Sequence, residues 1–168
     1  AMGLIISDHP RNRAVELWMP TSDADDFLEL SDEAAWAELA ATWVDLRRNP
    51  ARAGGRDSMD KVLNALSPEL SWIRGPVDRR FVLTMLAELA PGSGLSPQGL
   101  ADRFAWRSPL RPAEHRAGVL DATVTEATAL GVIAFGALST AGRVLLEQTP
   151  KDAATALAEA LPEPVDTV

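Results

Sequence analysis

Apolar residues along most of this chain fall at helical spacings of three and four, and give way to short β-prone runs in two places. Near the start, the runs Gly3-Leu-Ile-Ile6 and Ala14-Val-Glu-Leu-Trp-Met19 flank a stretch of turn formers, Ser7-Asp-His-Pro-Arg-Asn-Arg13, which predicts a β-hairpin with a flexible tip. A lone hairpin is marginal in water, so it is expected to belong to a preceding domain or to pack on the helices after it. Ser31 reads as an N-cap, with Asp32 and Glu33 in the first turn where the helix dipole favours acids. Trp36, Leu39, Ala40, Trp43 and Leu46 then mark one buried stripe, and Asn49-Pro50 stops that helix. Gly54-Gly55 predicts a loop, and Met59, Val62, Leu63 and Leu66 predict a short amphipathic helix over 58–66.

The second half is more regular. Pro76 suits a first helical position, with Phe81, Met85 or Leu86, and Leu89 on one face to residue 90. Pro91-Gly92-Ser93-Gly94 breaks this helix, and Ser96-Pro97 starts another with Leu100, Ala101 and Phe104 inward. Trp106 falls just beyond it, bracketed by arginines, where it pins the turn at Ser108-Pro109, the favoured reading, or faces a ligand. Pro112 opens a long helix to Leu130, with Val119, Leu120, Thr123, Val124, Ala127 and Leu130 on its apolar side and Gly131 as its cap. Val132–Phe135 predicts a strand, Gly136-Ala137 a tight turn and Leu138 the return. A helix from Ser139 and an Ala-rich helix over 151–161 follow.

Helix, break, helix, turn, long helix, strand, turn, strand is the order of a winged helix. The segment Leu138-Ser-Thr-Ala-Gly142-Arg-Val-Leu-Leu146 also resembles the wing exits of bacterial winged-helix proteins. The expected fold is therefore mainly α. It comprises an N-terminal β-hairpin over 1–20, an additional helical segment over 21–75, a winged helix-turn-helix over 76–148, and a C-terminal helix and tail over 149–168. Residues 3–30 echo the strand, turn, strand, helix order of 131–148, as if the first hairpin were the wing of an earlier copy.

Composition narrows the chemistry. The absence of Cys excludes a disulfide framework, a thiolate metal site and a cysteine nucleophile, and His9 and His115 are the only histidines. Gly54-Gly55-Arg56 lacks the Lys-Ser/Thr of a phosphate loop, and Asp23, Asp25 and Asp26 lack the glycine and distal glutamate of a calcium loop. The expectation is a non-enzymatic, cytoplasmic protein with no cofactor, no metal, no membrane segment and no small-molecule substrate. The net charge of −8 is unevenly spread. Residues 21–38 hold seven acids and no base, whereas 103–116 hold four arginines and one acid. Arg103, Arg107, Arg111, His115 and Arg116 thus surround the turn and the start of the third helix, where a helix-turn-helix meets phosphates or bases. Asp121 and Glu126 are expected to face outward and oppose DNA, and the wing carries no base. An end-on approach through the helix N-terminus is the pose these charges allow, with a salt slope of about −4.

Trp106-Arg-Ser-Pro-Leu-Arg-Pro112, Glu126-Ala-Thr-Ala-Leu-Gly-Val-Ile-Ala-Phe-Gly-Ala-Leu-Ser139 and Leu161-Pro-Glu-Pro-Val-Asp166 resemble the actinobacterial helicase-associated proteins, which are similar to the N-terminal region of XPB-type DNA helicases. The resemblance spans most of residues 30–168. It implies a stretch from the middle of a long, multi-domain protein with winged-helix segments and no helicase motor, acting in DNA repair or remodelling beside a helicase. It supplies no catalytic residues. Two functions are expected on this basis. One is a DNA-associated winged-helix region that contacts phosphates through its arginines. The other is a protein-interaction scaffold that docks a helicase or another domain, with the acidic 21–38 segment meeting a basic partner.

Overall fold

A computed structural model describes residues 2–8 and 17–162 and is mainly helical. At the N-terminus β1 (Ile5–Asp8) pairs antiparallel with β2 (Leu17–Pro20), Ile5 opposite Pro20. The expected hairpin tip, with His9, lies outside the described residues, as does the tail after Pro162. Thr21 ties the hairpin base, its N–H and hydroxyl donating to the carbonyls of Leu4 and Gly3 at 3.0 and 2.8 Å. A short helix, α1 (Ser22–Leu28), follows. It lacks the apolar periodicity that would reveal it, because none of its residues is buried.

Ser31 caps α2 (Asp32–Val44) as expected, its hydroxyl accepting from the Ala34 N–H. The buried face is rotated from the expected stripe: Ala37, Ala40, Trp43 and Val44 are inside, and Leu39 is exposed. Small residues at 37 and 40 let α2 pack closely on the last helix of the chain. The helix expected over 58–66 does not form. The Asp57 carboxylate accepts from the Met59 and Lys61 N–H groups, Asp60 takes a φ of 62°, and Arg56 bridges to Val62. This side-chain turn competes successfully with a helical turn, and leaves Leu63 as the one buried apolar residue of the segment.

The next elements are α3 (Gly75–Ala87), α4 (Pro97–Arg107), α5 (Ala113–Ala129), a hairpin of β3 (Ile133–Ala134) with β4 (Ala137–Leu138), α6 (Thr140–Glu147) and α7 (Pro150–Ala160). Ser96 and Ser139 cap α4 and α6 through the Gly99 and Gly142 N–H groups, each at 3.1 Å, and Thr149 with Asp152 forms a capping box on α7. The hairpin turn is Phe135-Gly136, one residue earlier than expected, with φ of 51° and 76°. The segment between α3 and α4 joins this hairpin: Gly94 bridges to Ala137, and the Leu95 N–H donates to the Gly136 carbonyl at 3.0 Å. A Cβ at position 94 would lie 2.7 Å from the Gly136 carbonyl, so the approach requires glycine there.

One apolar cluster draws on α2 through α7 and the second hairpin, with Trp43, Leu83, Phe104, Val119, Ile133, Leu145 and Ala153 among its members. An ion pair runs through it. Arg79 of α3 is fully buried, and Glu126 of α5, expected to face outward, is 7% exposed. The Glu126 Oε2 accepts from Arg79 Nε at 3.0 Å, Arg79 Nη2 at 2.8 Å and Trp43 Nε1 at 2.7 Å, while Oε1 accepts from the Ala51 N–H at 3.1 Å. Arg79 also donates to the carbonyls of Leu46 and Arg48, and its guanidinium lies 5.3 and 4.8 Å from the Trp43 and Trp72 rings. Gly75 leaves room for it, since a Cβ there would meet Leu46 O at 2.9 Å and Arg79 Nη1 at 3.0 Å.

A buried pair with its hydrogen bonds met is costly to break and cheap to replace as a whole. Arg79→Met or Glu126→Leu alone is therefore expected to lower the unfolding free energy by about 3–5 kcal/mol, and the double variant to lose less than the summed singles. It recovers only part of the loss, because the Leu46 and Arg48 carbonyls, the Trp43 indole and the Ala51 N–H lose their partners. Urea unfolding of the four proteins checks this, and a double variant as weak as the summed singles would contradict it.

Candidate nucleic-acid interface

The five residues expected to meet DNA do gather around the α4–α5 turn, but most are already engaged. Arg103 and Arg107 lie one turn apart on α4 and share the carboxylate of Glu88, just past α3, at 2.6 and 2.5 Å. Their side chains remain 33% and 39% exposed. Arg111 points inward. It donates to the fully buried Asp78 at 2.8 Å and lies 5.5 and 5.6 Å from the rings of Phe81 and Phe104, which pack edge-tilted on each other. Asp78 also accepts from Trp72 Nε1 at 3.2 Å. Arg116 donates to the Arg111 carbonyl and so fastens the turn. His115 alone of the five is exposed with no hydrogen-bond partner among the described residues. Arg111 and Arg116 thus have internal partners, a buried carboxylate and an open turn carbonyl.

The outward face of α5 is acidic rather than basic. Glu114 and Asp121 are exposed one heptad apart, and no ion pair to either occurs among the described residues. Apolar side chains stand out nearby. Trp106, expected to pin the turn just beyond α4, is instead inside that helix and 86% exposed, and Leu110 is 98% exposed. Phe135 at the hairpin tip is fully exposed. Between α5, the start of α4 and the hairpin lies an apolar groove of about 550 Å³, walled by Leu95, Leu120, Val124, Ile133 and Phe135, with Asp121 on its rim.

Sequence reasoning found the arginines and missed their partners. Glu88 and Asp78 lie 15 and 33 residues from the arginines they bind, and no local pattern reveals pairing at such separations. Comparison with known protein families, curated proteins and solved structures gives no match to this chain. No helix among the described residues is long and apolar enough to cross a membrane.

The hydrogen bonds from Arg107 and then Arg103 hold the Glu88 carboxyl below its ordinary value near 4.5. A depressed carboxyl contributes stability that is complete above the unfolded value and is lost as pH falls through the folded one. The stability difference between the parent chain and Glu88→Gln is thus expected to be constant near neutrality, to begin to shrink as pH falls past about 4.5, and to be lost only below the lowered folded value, in urea melts over a pH series. A difference that persists unchanged into strong acid would show that the arginine pairing does not set the carboxyl.

Proposed function

We propose that this chain is a non-catalytic winged-helix region of a helicase-associated protein, and that it acts mainly by docking protein segments rather than by gripping DNA itself. The winged-helix assignment is supported by the order of α3, the Gly94–Leu95 strand contact, α4, α5 and the β3–β4 wing. The helicase-linked setting rests on the resemblance of residues 106–112, 126–139 and 161–166. The single observation that carries the docking reading is the engagement of Arg103, Arg107 and Arg111 by Glu88 and Asp78, beside an α5 face that offers Glu114 and Asp121. A phosphate would have to displace carboxylates already in place and approach an acidic helix face. Exposed Trp106, Leu110 and Phe135 offer instead the aromatic and aliphatic anchors that protein interfaces use.

One observation favours direct DNA contact as a second reading. Two guanidiniums share a single carboxylate at Glu88, which leaves one surplus positive charge on a partly exposed edge. At most two phosphate contacts are then available, so the salt slope would be no steeper than about −2.

Fluorescence anisotropy with duplex, forked and single-stranded DNA over a salt series separates the readings. The docking reading expects no saturable binding at physiological salt, and no more than weak binding at low salt. Tight binding with a slope of about −3 or steeper, abolished by Arg103→Ala with Arg107→Ala, would overturn it.

A further inference from the structure

We infer that the groove between α5 and the second hairpin is a docking site for a basic amphipathic helix of a partner protein. This inference rests on the docking reading above and names its site and ligand class. The first ground is the hairpin tip. Phe135 adopts a φ of 51° at the first of two turn positions, where Asn, Asp or Gly is favoured and an aromatic residue is strained. Its ring is fully exposed, so no contact of the side chain within the fold offsets the strain. A strained, solvated aromatic residue on the lip of an apolar groove is placed for an external contact.

The second ground is the groove itself. Its walls are Leu95, Leu120, Val124 and Ile133, and its volume of about 550 Å³ suits a few large aliphatic side chains on one helical face. Rigid elements hold it open: α5 on one side, and on the other a hairpin locked to Leu95 by a 3.0 Å backbone hydrogen bond.

The third ground is charge, which selects the occupant. Among the described residues, Asp121 is the only charged one that lines the groove. Glu114 lies one heptad before it on the same exposed face of α5, and no cation pairs with either among the described residues. Nucleic acid would meet the Asp121 carboxylate at the groove and no base among its lining residues. A helix with Leu or Ile at the groove and Lys or Arg one heptad apart on its flank would satisfy both features at once.

The test uses two synthetic helical peptides of about four turns with the same Leu stripe, one flanked by Lys and one by Glu, together with a dT oligonucleotide. Each is titrated into isotopically labelled protein and followed by NMR. The Lys peptide is expected to shift the resonances of Leu95, Val124, Ile133 and Phe135, and to bind about tenfold more tightly than the Glu peptide. Asp121→Lys should reverse that ranking. Phe135→Asn, which gives the turn its preferred Asn-Gly, should raise Tm by about 2–4 °C while weakening the Lys peptide at least about tenfold, so a loss cannot be ascribed to unfolding. Equal binding of both peptides, shifts confined to the Trp106–Leu110 region, no shifts at all, or oligonucleotide shifts at the groove would each overturn the proposal. The docking reading is tested separately, since it falls only if the chain grips DNA through its arginines in the anisotropy assay.

Discussion

A single buried carboxylate holds the middle of this molecule together. Glu126 receives Arg79 from α3, the indole of Trp43 from α2 and the backbone of Ala51 from the loop between them. Arg79 in turn takes the carbonyls of Leu46 and Arg48, which follow the end of α2 and have no helical partners of their own. The pair therefore does more than neutralise two charges. It fixes where the chain leaves α2, how the loop crosses α5, and the relative placement of α2, α3 and α5. A hydrophobic pair of similar volume could fill the same space but could not choose among these placements through directed hydrogen bonds.

Further acid–arginine pairs extend this network outward to the candidate interface. Asp78, beside Arg79 on α3, takes Arg111 and Trp72, and Glu88 at the end of that helix takes Arg103 and Arg107. Arg143 donates to the carbonyls of Ala87, the last residue of α3, and of Leu89 just beyond it. Carboxylates and carbonyls of α3 and its end thus collect guanidiniums from α4, the α4–α5 turn and α6. The arginines that give the sequence its basic stretch act largely as internal fasteners. The exposed surface around them carries apolar side chains at Trp106, Leu110 and Phe135 and acids along α5.

Much of the fold was legible in the sequence. The Ser31 and Ser96 caps, the prolines at the starts of α3 and α4 and the glycine after α5 act locally, so local signals located those helices, while the Ser139 cap of α6 was not read. The 58–66 helix failed because Asp57 commits the backbone to a turn, a competition that apolar spacing does not register. The buried pair left a trace that was passed over. Arg79 precedes Val82 and Leu83 on the α3 stripe, and Glu126 lies between Thr123 and Ala127 on that of α5. A charged residue on the apolar face of each of two packed helices is the signal of a buried ion pair. Asp78 left the same kind of trace, four and seven residues before Val82 and Met85 on α3, whereas Glu88 lies just past that helix on a partly exposed edge and left none.

Hydrogen exchange of the Trp43 indole N–H, followed by NMR, tests the central role of the Glu126 carboxylate most directly. With that N–H donated to a buried, fully engaged oxygen at 2.7 Å, it should exchange only through global unfolding, at the rate of the slowest core amides such as those of Leu83 and Phe104. Exchange as fast as that of the exposed Trp106 indole would show that the network opens in the folded protein, and that Glu126 does not hold these helices in place.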